Sequence, residues 1–299
     1  MIQPSYNQQD ELLHMTLMDG QVRALLATTR QLTQAAADMH HTTPVCTAAM
    51  GRLMTGTAMM GAMLKGARDS VTVTIKGSGP IGTMIAVSIP GQVKACLDNP
   101  QLQLPLSAEG KLDVGSAVGR EGRMTVVKDM GLREPYIGQV ALVSGEIAED
   151  FTMYFAKSEQ QPSLVSLGVL VNGDQVLQSG GLLIQPMPGC TEDTVDQLEL
   201  RSPIFASISN ELNYAPIEEL AQDWFKGLAP VILDRQPLNY ACGCSRERME
   251  RALVTIGQKE LSQLISEDQG AELGCHFCHS HYAFTTSDLM ELLKQATRA

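Results

Sequence analysis

Cysteine sulfur supplies the chemistry in this chain. Cys242-Gly243-Cys244 is followed by thirty residues and then by Cys275-His276-Phe277-Cys278. Two close pairs joined by a loop give one zinc ion the four tetrahedral thiolates it needs. Without the metal, the same sulfurs are two nearby pairs that could form disulfides, so the pattern also fits a redox switch. His276, His279 and His281 stand beside the second pair as rival ligands in a set of three cysteines and one histidine. Solvated histidines close to negative sulfurs are the favoured reading. Four protein ligands close the coordination shell. A catalytic zinc keeps one position open, so a hydrolase or deaminase is disfavoured.

Other reactive residues carry less. Cys46, Cys96 and Cys190 are isolated in sequence and read as buried or inert thiols. His40-His41 lies near Cys46, as a base lies near a nucleophile, but no further motif supports the pair, and polar residues at a helix start explain it better. Gly77-x-Gly79-x-x-Gly82 matches the dinucleotide fingerprint by letter and follows a strand-like segment. That fingerprint needs a helix directly after it, to meet a pyrophosphate. Thr83 to Ile89 is strand-like instead, so a hairpin turn is expected.

The elements around these residues divide the chain. Met18 to Asp38 reads as helix, followed by a Met-rich helix from Val45 to Leu64. Val71–Ile75, Thr83–Ile89, Met124–Val127 and Gln139–Val143 read as strands. Glu146–Lys157 reads as an amphipathic helix with acids in its first turn. Leu164–Val171 and Gln175–Ile184 flank Asn172-Gly173, a strong hairpin signal. Strands joined by short turns argue for an α+β domain of mostly antiparallel sheet with packed helices. We expect it to span 1–189.

An acidic helical linker is expected over 190–236, broken by prolines and holding the only tryptophan, Trp224. Its short helices need a neighbour to persist. A small zinc-binding domain is expected over 237–299. There Ser245 caps a helix bearing Met249, Ala252, Leu253 and Ile256, and a last helix starts near Asp288. This segment has few apolar residues, and a structural zinc, worth roughly 10–16 kcal/mol, would supply what its core lacks.

Bulk properties narrow the classes. The net charge is −11, and residues 192–240 carry nine acidic and three basic side chains. No basic patch exists for a phosphate backbone, which disfavours nucleic acid as a partner. Seven cysteines in 299 residues are too sparse for a secreted disulfide scaffold. MIQPSYNQQDELLH is polar and acidic, unlike a signal peptide. The 45–64 stretch contains Arg52 and reads as a core helix, not a membrane span. A reducing cytoplasm is the expected compartment.

With these residues in view, the chain resembles the family of redox-regulated holdase chaperones, the 33-kDa heat-shock proteins. The resemblance rests on Cys-Gly-Cys-Ser-Arg-Glu-Arg248, Glu267-Asp268 and Cys-His-Phe-Cys278 with Tyr282 and Phe284. In the first domain it rests on Gly77 to Gly82, Lys111 to Gly115, Lys128-Asp129, Pro135-Tyr136, Ser144 to Glu149, Ser158 to Gln160 and Gly180-Gly181. It implies no enzyme. It implies a monomer that is inactive while reduced and zinc-bound, with one Zn²⁺ on Cys242, Cys244, Cys275 and Cys278. Oxidation by peroxide or hypochlorous acid would eject the zinc and unfold the module and linker. The protein, often a homodimer, would then hold unfolded clients without ATP. Neighbouring sulfurs close the smallest loops, so the oxidised pairs expected are Cys242–Cys244 and Cys275–Cys278. Two other readings stay open: a thiol-disulfide oxidoreductase using Cys275 and Cys278, and a constitutive zinc-stabilised interaction protein.

Overall fold

A computed structural model describes residues 9–296. Part of the polar N-terminal stretch lies outside them. Two compact units follow one another, one reaching Ala241 and the other starting at Cys242.

The first unit opens with β1 (Glu11–Leu17), β2 (Val22–Thr28), α1 (Arg30–His40) and α2 (Pro44–Ala62). Next come β3 (Ser70–Gly77), β4 (Thr83–Ile89), β5 (Gln92–Leu97), α3 (Val114–Val118), β6 (Gly122–Asp129) and β7 (Tyr136–Ala141). After α4 (Ala148–Lys157) the β8 (Leu164–Asn172) and β9 (Gln175–Pro186) hairpin turns at Asn172-Gly173. Four short helices follow: α5 (Glu192–Glu199), α6 (Ser202–Phe205), α7 (Ile208–Glu211) and α8 (Ile217–Trp224). The unit closes with β10 (Val231–Pro237) and β11 (Asn239–Tyr240). One sheet has the order β10-β1-β2-β9-β8 and the other β11-β5-β4-β3-β6-β7. Their ladders are antiparallel except β11 on β5.

Helix α2 is apolar on every side because it is covered on every side. It packs on β3, β4 and β5 of one sheet and on β2, β8 and β9 of the other. Pro44 starts it without wasting a donor. Gly51 lets Thr33 come within 2.7 Å of where a Cβ would sit, and Gly56 makes room for the Phe151 ring. No helix among the described residues is long and apolar enough to cross a membrane.

The segment expected to be one helix from Met18 to Asp38 is instead β2 followed by α1. Strand β2 is buried on both faces: Leu25 and Ala27 join the cluster around α2, while Val22, Ala24 and Leu26 join another. A strand covered on both sides loses the polar alternation that marks strands in sequence. His40 and His41 end α1 rather than start a helix, and His41 adopts the left-handed conformation (φ 50°). Gly77–Gly82 joins two antiparallel strands, with Gly82 at φ 77°, so the fingerprint letters form a turn.

The second cluster lies between the outer face of the first sheet and the four short helices. Leu13, Met15, Leu17, Leu26, Leu182 and Ile184 come from the strands. Leu198, Phe205, Ile208, Leu212, Leu220, Trp224 and Phe225 cover them. Trp224 is 6% exposed and meets Phe205 edge-on at 5.8 Å. Strand β10 then pairs with β1, and Leu238 N–H donates to the Asp10 carbonyl at 2.8 Å.

The second unit has α9 (Arg246–Thr255), α10 (Gln258–Gln263), a π-helical turn (Leu264–Asp268), β12 (Gly270–Gly274), β13 (His281–Thr285) and α11 (Thr286–Ala296). Its buried core among the described residues is Leu253, Leu261, Phe284, Leu289 and Leu292. Arg246 lies 4.4 Å over the Phe284 ring and pairs with Asp288 at 3.0 Å. A core this small gives little stability alone.

Candidate metal centre

Cys242 and Cys244 lie in irregular chain, with open space around the Cβ position of Gly243. Ser245 then turns the chain into α9, its hydroxyl accepting from Arg248 N–H at 3.3 Å. The second pair sits at the tip of the β12–β13 hairpin, whose ladder ends at Gly274 opposite His281. Cys275 N–H donates to the Ser280 carbonyl at 2.9 Å, and His279 N–H donates back to the Cys275 carbonyl at 2.8 Å. His279 makes the bend in a left-handed conformation (φ 54°). The hairpin thus closes the turn and gathers Cys275 and Cys278.

All four sulfurs lie within 4.8 Å of one another. Cys242 Sγ is 3.6 Å from Cys275 Sγ, and Cys244 Sγ is 3.2 Å from Cys278 Sγ. A tetrahedral zinc with bonds of about 2.3 Å would put its sulfurs about 3.8 Å apart. The donor set and its spacing fit a zinc ion. These two contacts join one sequence pair to the other, and Cys275 and Cys278 also hydrogen-bond within the second pair. Among the described residues the group that could hold a metal contains these four cysteines alone. His276, His279 and His281 are outside it, and His281 Nδ1 meets Glu272 Oε1 at 2.9 Å.

The sulfurs differ in environment. Burial pushes the Cys275 thiol up. Burial raises Cys278 as well, but hydrogen bonds with the Ser280 side chain and backbone, and with the neighbouring cysteines, bring it down to about 6. At neutral pH that sulfur is largely thiolate, the form that binds metal and attacks oxidants. Tyr282 Oη lies 3.2 Å from Cys244 Sγ, and this hydrogen bond is the first cause of a phenol pushed up to about 12. The phenol therefore stays a donor at neutral pH.

Ser280 was not singled out in the sequence, and Tyr282 was named there only as part of the family resemblance, without a role at the sulfurs. The signal available for them was positional: both follow the second pair within four residues. The remaining cysteines lie in the first unit. Cys46 is buried with its sulfur 3.3 Å from the Asn99 carbonyl, and His40 Nε2 meets Tyr240 Oη at 3.3 Å. Neither contact builds a nucleophile–base pair.

The family model described as Hsp33 protein matches residues 10–285. A 33 kDa chaperonin of Clostridioides difficile is 49% identical over 96% of this chain and 99% of its own length. One of Bacillus subtilis is 44% identical over 97% of this chain and all of its own length. The crystal structure of the 33 kDa chaperonin, a heat shock protein 33 homolog, from Thermotoga maritima superposes with a TM-score of 0.87. It is 33% identical and covers 98% of this chain and 100% of its own.

Proposed function

The chain belongs to the Hsp33 protein family, and on that premise we propose that it is a redox-regulated, ATP-independent holdase that acts by binding and not by catalysis. It is a chaperone of the Hsp33 type. The observation that carries the redox reading is the cluster of four sulfurs within 4.8 Å, in a unit with a thin core.

Cys242, Cys244, Cys275 and Cys278 would hold one zinc in the reduced protein. When bound, zinc supplies a tetrahedral cross-link and keeps the sulfurs as thiolates. A thiolate attacks one peroxide oxygen and becomes a sulfenic acid as the O–O bond breaks and hydroxide leaves to become water. A second cysteine sulfur then attacks the sulfenic sulfur, and a disulfide forms as water departs. We propose Cys242–Cys244 and Cys275–Cys278 as the final pairs, since local loops close most easily once the hairpin tip comes apart. The 3.2 and 3.6 Å contacts bring the crossed pairs into reach as well, so peptide mapping of the oxidised protein tells the two pairings apart.

The working parts are then a core over 1–189, a linker over 190–236 and a switch over 237–299. The linker helices cover Leu13, Met15, Leu17 and Leu26 on the sheet. Their release would expose a contiguous apolar face of the kind that binds unfolded chains. An oxidised homodimer, and a reducing cytoplasm that keeps the switch off, belong to the same reading.

The test is a reduced sample assayed for bound zinc and then titrated with peroxide. We expect one zinc per chain, its release with oxidation, and suppression of client aggregation only as zinc leaves. Client protection at full strength in the reduced, zinc-bound sample would rule the switch out in favour of a constitutive interaction protein.

A further inference from the structure

We propose that Tyr282 is a positioning residue of the cysteine centre: its phenol lies 3.2 Å from Cys244 Sγ, donates to that sulfur as a thiolate and restrains its oxidation, setting how much peroxide the switch needs. The proposal rests on the reading of the four cysteines as an oxidisable metal centre.

The phenol is held by a regular element. Tyr282 pairs with Leu273 in the β12–β13 ladder. Phe284, two residues along the same face of the strand, is 2% exposed in the core of the unit. Tyr282 itself packs against that core. A side chain fixed at its base and touching sulfur at its tip controls geometry better than a loop residue would.

The chemistry gives the sign. Cys244 sulfur attacks peroxide with a lone pair. It becomes sulfenic acid while the O–O bond breaks, and the departing hydroxide takes a proton to become water. Cys242 sulfur next attacks the sulfenic sulfur, the S–O bond breaks, and a second water leaves. Two sulfurs lose two electrons in all, and one peroxide becomes two waters. In the first step Cys244 sulfur gives up negative charge. A donor on that sulfur stabilises the charged starting state more than the transition state, so it raises the barrier. Neighbours that hydrogen-bond metal ligands tune such centres generally.

The test compares full-length wild type with Tyr282→Phe, both reduced and loaded with zinc. Three quantities are measured: zinc per chain, the rate of zinc release under excess peroxide, and the cysteine carrying sulfenic acid after brief limiting peroxide with a dimedone-type trap. Phenylalanine keeps the ring and removes only the donor. We expect equal zinc content, release faster by about fivefold, the worth of one hydrogen bond, and trapped sulfenic acid shifted towards Cys244. Release in Y282F that is unchanged or slower overturns the proposal; slower release would make the phenol a proton donor to peroxide. Should Y282F fail to keep zinc, tyrosines replaced by 3-fluorotyrosine carry the test in the intact fold. The more acidic phenol bonds sulfur more strongly, and release must slow. Unchanged release there overturns the proposal equally. A wild type that binds no zinc, or keeps it under peroxide, overturns the metal-centre reading, and this inference with it.

Discussion

Cys275 and Cys278 sit in one tight turn yet face opposite influences, burial raising the first and hydrogen bonds lowering the second. Both are needed to close a tetrahedral site. Cys275→Ser with Cys278→Ser should therefore remove most zinc affinity and loosen the unit, whose cluster of five buried residues is too small to hold it unaided. Part of the holdase activity should appear without oxidant, measured as suppressed aggregation of a chemically unfolded client. A double variant that stays inactive, with unchanged Trp224 emission, breaks the link between metal loss and activity. The cysteines were legible because soft ligands at such spacing have few other uses. The Tyr282 phenol was not, because its partner is thirty-eight residues away, in irregular chain ahead of α9, and no local pattern links the two.

Asp10 couples the stability of the first unit to pH. It is 4% exposed, and its Oδ2 accepts from Leu32 N–H at 2.6 Å at the start of α1. Burial pushes the carboxyl up to about 6 against the downward pull of that hydrogen bond. The folded state then holds its proton more tightly than the unfolded state. Stability falls as pH rises from about 4 through about 6, and the loss is complete above that. Asp10→Asn has no such titration. The stability of Asp10→Asn relative to wild type should thus grow by on the order of 2 kcal/mol between pH 4 and 7 in urea melts. A pH-independent difference would contradict the assigned environment.

At the scale of elements, the linker helices are held by a few large side chains. Phe205 is 1% exposed and meets both Trp224 and Phe225 at 5.8 Å. Phe205→Ala should cost about 3–5 kcal/mol at this interface. The result should be red-shifted Trp224 emission, easier proteolysis within 190–236 and some activity in the reduced state. Trp224 left buried after this change would mean that the helices do not depend on their docking. Linker helices were readable from sequence, through Leu198, Phe205, Ile208 and Leu212. Strand β10 was not, because its residues are mostly exposed and it exists only by pairing with β1. Strand β2 failed for the opposite reason, being covered on both faces. The alternating strands β3 and β4 and the hairpin at Asn172-Gly173 were legible, since each has a local signal.

At the scale of the molecule, two units of very different core size share one chain. Their stabilities should separate when the metal is removed. A strong chelator under reducing conditions should abolish amide protection in 242–299 and leave β3, β4 and β6 protected. The most direct test of the account follows hydrogen exchange over 190–299 through a peroxide titration, with zinc release and client aggregation read in the same samples. Protection should be lost first in 242–299 and next in 190–236, with client holding rising in step with the second loss. Client holding at full strength while 190–236 stays protected would contradict it.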